Sequence, residues 1–66
     1  MAKSREEAAR DKALLAIQKA ELRAVDENTT AAQFDRFNQL AKNAVAAYAE
    51  VIGVDPIVAA LRLRSE

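Results

Sequence analysis

The chain has 66 residues, of which 52% are hydrophobic and 30% charged, with ten basic residues balanced by ten acidic ones. Zero net charge argues against a dedicated electrostatic binder of DNA or anionic lipid, and the absence of cysteine and histidine excludes disulfides, thiolate metal sites and the commonest general base. We expect a single domain, residues 1–66, that holds no metal or cofactor. One core of this size rarely supplies more than about 3–5 kcal/mol of folding stability, so we also expect the domain to gain stability from a second protein surface.

The first predicted helix covers about residues 5–27. Ser4 is a suitable N-cap, and Glu7 stands at the reciprocal position of a capping box. Asp26 and Glu27 lie at the unfavourable end of the helix dipole, so this end is expected to fray. Asn28 is the expected left-handed residue that closes the helix.

The second predicted helix covers about residues 31–52. Thr30 and Gln33 form another capping box at its start, and Gly53 is suited to end it. The break between the first two helices is short, which favours an antiparallel hairpin. The apolar residues of this helix form one stripe, which predicts its contribution to the internal core: Phe34, Phe37, Leu40, Ala41, Ala44, Val45, Tyr48, Val51 and Ile52.

The third predicted helix is short and covers about residues 56–64. Asp55 is a good N-cap, and Pro56 is favoured at the first helical position. The predicted fold class is therefore all-α: an antiparallel hairpin of two long helices with a short C-terminal helix, forming a small three-helix bundle.

Helix 1 carries two apolar flanks, which indicates two packing partners. One flank consists of alanines at positions 9, 13, 16, 20 and 24, and the other of Leu15, Leu22 and Val25. Helix 2 can cover only one of them. Either the short third helix covers part of the other flank and the rest stays exposed, or a second chain covers it, and we favour the second chain. The residues predicted to make protein contacts are Ala13, Ala16 and Ala20, Leu15 and Leu22, and, on helix 3, Val58 and Leu63.

Residues 49–61 resemble a helix-turn-helix box, of the kind that small terminase subunits and phage repressors use. Ala49, Gly53 and Val54 occupy matching positions. The resemblance implies an alternative function, nucleic-acid binding of the phage type, in which Arg62 and Arg64 contact phosphate groups.

The rest of this segment departs from such a box. Its second helix should bury the positions six and nine beyond the glycine, here Ala59 and Arg62, whereas the apolar Val58 and Leu61 fall one position earlier. A reading helix also needs polar groups near its N-terminus, and this helix begins with apolar residues.

Enzymatic function is not expected. Serine occurs only at Ser4 and Ser65, without histidine, and a single glycine excludes a glycine-rich phosphate loop. No apolar run approaches the roughly 20 residues that cross a bilayer, and the N-terminus lacks the pattern of a signal peptide. We therefore expect a soluble, cytoplasmic protein-interaction or assembly module that binds itself or another protein. The remaining alternatives are a small viral or mobile-element inhibitor or adaptor, and a designed bundle without biological function.

Overall fold

The computed structural model describes residues 3–65, which form three α-helices: α1 (Arg5–Ala24), α2 (Ala31–Ile52) and α3 (Pro56–Arg64). This is the all-α, three-helix fold that the sequence predicts. Arg23, near the end of α1, lies over the ring of Phe37, near the start of α2, at 5.2 Å. Ala13, in the first half of α1, belongs to the same buried cluster as Tyr48, near the end of α2. This reversed order of contacts makes the first two helices an antiparallel hairpin.

The predicted N-caps are present. The Ser4 hydroxyl accepts a hydrogen bond from the Glu7 amide at 3.1 Å. Thr30 accepts one from the Gln33 amide at 3.2 Å, and the Gln33 side chain accepts one from the Thr30 amide at 3.1 Å. Each bond satisfies a backbone group that has no partner within the helix, so the caps fix where the first two helices begin.

The end of α1 differs from the prediction, because the helix stops at Ala24 instead of about Glu27. The Asp26 carboxylate accepts a hydrogen bond from the Asn28 amide at 2.9 Å, and the Asp26 carbonyl accepts one from the Thr29 amide at 3.1 Å. These local bonds replace the continuation of the helix. The prediction that Asn28 adopts the left-handed conformation is wrong, since Gly53 alone has a positive φ among the described residues.

A three-residue turn joins α2 to α3 and changes the chain direction by 100°. Gly53 ends α2 with φ +72°, a conformation that favours glycine because it has no Cβ. The Asp55 carboxylate then accepts a hydrogen bond from the Ile57 amide at 2.8 Å, and Pro56 begins the helix. As a result, α3 packs mainly across α2 and has little contact with α1.

The core is built mostly from alanines. Its buried cluster contains four alanines and two larger residues, Ala13, Ala44, Tyr48, Ala49, Ala59 and Leu63. The helix-2 stripe was predicted only in part: Ala41, Ala44 and Tyr48 are buried, the phenylalanines are half-buried, and Leu40 is 53% exposed. Leu40 stays outside because the alanine side of α1 meets α2 along a narrower line than the stripe.

Candidate association surface

The alanine flank of α1 packs inside the molecule. Ala13 is completely buried and Ala20 is 7% exposed, while Ala16 is half-buried against the core. Small side chains let the two helix backbones approach closely, and α2 occupies that space. The prediction of these alanines as contacts with another protein is therefore corrected for Ala13 and Ala20, which no second chain can reach in this fold.

The leucine flank of α1 lies on the opposite side and is open. Leu15 is 52% exposed and Leu22 is 62% exposed. Since they are seven residues apart, they lie almost in line along the helix, and Val25 extends the same side beyond its end. Leu15 and Leu22, for which the sequence predicts contact with a second chain, are therefore accessible on the surface.

Helix α3 has its own buried and open sides. Ala59 and Leu63 are buried, four residues apart on the side that faces α2. The prediction of Leu63 as an exposed contact residue is wrong, because the rotation of α3 about its axis turns it into the core. Val58, by contrast, is 40% exposed, and Ile57 and Leu61 are 71% and 61% exposed.

The arginines of α3 lie near its C-terminal end. Arg62 and Arg64 are both exposed, and the Arg62 carbonyl accepts a hydrogen bond from the Ser65 hydroxyl at 3.0 Å. Nearly the whole exposed length of α3 before them is apolar. The two cations therefore stand beside a hydrophobic surface rather than within a basic patch.

An open groove of about 550 Å³ runs between the three helices. It exists because α3 crosses α2 and scarcely touches α1. Its walls are largely aliphatic and aromatic, with Ile17 on α1, Phe34 and Val45 on α2, and Ile57 on α3. Charged side chains stand among them, one from each helix: Glu21, Lys42 and Arg64.

The molecule exposes more surface than its mass requires. Its accessible surface is 5161 Å², whereas a compact monomer of this mass exposes about 4,100 Å². Its radius of gyration is 12.6 Å, against about 11 Å for a compact domain of this length. Both values describe an open arrangement of the three helices, in keeping with the limited contact between α3 and α1.

Two further features bear on function. Among residues 3–65, no group of three or more acidic side chains is placed to hold a metal ion. No single helix in this part of the chain is long and apolar enough to cross a membrane, and α2 and α3 reach that composition only as a pair bent by 100°. Comparison with protein families, with curated proteins and with solved structures finds no match.

Proposed function

We propose that the chain is a non-enzymatic helical association module that forms homo-oligomers. The observation that carries this proposal is the number of large apolar side chains that stay more than half exposed, among them Leu15, Leu22, Leu40, Ile57 and Leu61. A homo-oligomer needs no second gene product to cover this surface, and most soluble oligomers are homo-oligomers with closed symmetry.

The composition of the core supports the same proposal. Its two largest members are Tyr48 and Leu63, and the rest are alanines, each of which buries little apolar area. Burying a leucine fully contributes about 1.5–3 kcal/mol, yet Leu15, Leu22 and Leu61 remain more than half exposed. Association gives these side chains the burial that the isolated chain does not.

The test is the mass of the protein in solution. Sedimentation equilibrium from micromolar to millimolar concentration should show the mass rising from that of one chain towards that of a dimer or larger species. Helical circular dichroism recorded over the same range should show a thermal midpoint that rises with concentration. A mass equal to one chain throughout, with a constant midpoint, contradicts the proposal.

A second candidate function rests on the angle between α2 and α3. Two helices that cross at 100° around a three-residue turn containing Gly53 have the geometry of a helix-turn-helix unit, and Ala59, six positions beyond the glycine, is buried. Against this candidate, α3 presents Ile57, Val58 and Leu61 where a reading helix presents polar groups.

Fluorescence anisotropy with a labelled duplex at low salt separates the two functions. Nucleic-acid binding requires a shift that disappears in the double variant Arg62→Ala, Arg64→Ala and weakens steeply with added salt. An association module gives no shift with the duplex, while its mass still depends on concentration.

A further inference from the structure

We draw no further inference here: the strongest candidate, the open apolar groove between the three helices with α3 as one of its walls, carries none, because its charged side chains, Glu21, Lys42 and Arg64, are of both signs and nothing in the structure shows what covers it.

Discussion

Leu63 provides the sharpest test of the fold, because it is the large residue that ties α3 to the rest of the core. It is 3% exposed and belongs to one buried cluster with Ala13, Tyr48 and Ala59. Truncating a buried leucine to alanine costs about 2–5 kcal/mol, while a core of this size supplies about 3–5 kcal/mol in total. Leu63→Ala should therefore remove about half of the stability or more, and lower the thermal midpoint by at least about 8 °C.

The matched control is Leu61→Ala, two residues earlier on the same helix. The substitution is chemically identical, but this side chain is mostly exposed, so the monomer should lose less than about 1 kcal/mol. Urea unfolding followed at 222 nm, at a dilution where the midpoint no longer depends on protein concentration, gives both free energies of unfolding. Equal losses at the two positions, or the larger loss at Leu61, would refute the orientation of α3 described above.

Three further predictions concern local structure. Gly53→Ala should lower the free energy of unfolding by about 1–2 kcal/mol through the left-handed backbone alone, since an added Cβ meets no atom within 4 Å. Gly53→Asn should lower it less in the same unfolding assay. A loss for asparagine as large as that for alanine would point to a steric cause instead. Thr29→Val should leave stability unchanged or raise it by up to about 1 kcal/mol, because its buried hydroxyl oxygen has no hydrogen-bond partner; a clear loss in the thermal midpoint would mean that this hydroxyl is satisfied in solution. The hydrogen bond from Lys3, and then its charge, lower the pKa of Asp11, and the same contact raises the pKa of Lys3. The pair therefore stabilises the fold at neutral pH. The stabilisation from Asp11 is lost as the pH falls through its lowered pKa, and that from Lys3 is lost as the pH rises through its raised pKa. NMR titration should give Asp11 a lower midpoint than in Lys3→Ala, and identical midpoints would disprove the pairing.

The helix boundaries could be predicted from the sequence because capping is local. Thr30 and Gln33 are three residues apart and satisfy each other's backbone groups, whatever the rest of the chain does. Gly53, followed closely by Pro56, identifies the second turn in the same way. The end of α1 is less predictable, because the charge of Asp26 against the helix dipole indicates only fraying, whereas its side chain also accepts a hydrogen bond from the Asn28 amide and ends the helix earlier.

The assignment of faces was less predictable, because it depends on how the helices pack. The pattern of α1 shows two apolar flanks but does not tell which one meets α2. Alanines are on that contact because the backbones approach closely there, which leaves Leu15 on the outside. In α3, nine residues offer too short a pattern to fix the rotation of the helix, so Leu63 and Val58 could not be told apart before the crossing with α2 was known.

The proposed association is explained by the same alanines that hold the hairpin together. Ala13, Ala44 and Ala49 belong to one buried cluster, and their small side chains leave room in it for only two large residues, Tyr48 and Leu63. Leu15 and Leu22 of α1 and Ile57 and Leu61 of α3 lie on the outside, where each retains more than half of its accessible surface. A core of larger residues would separate the helices and enclose that apolar area within one chain. With an alanine core, this apolar area remains outside, and the proposed association with a second chain removes it from water.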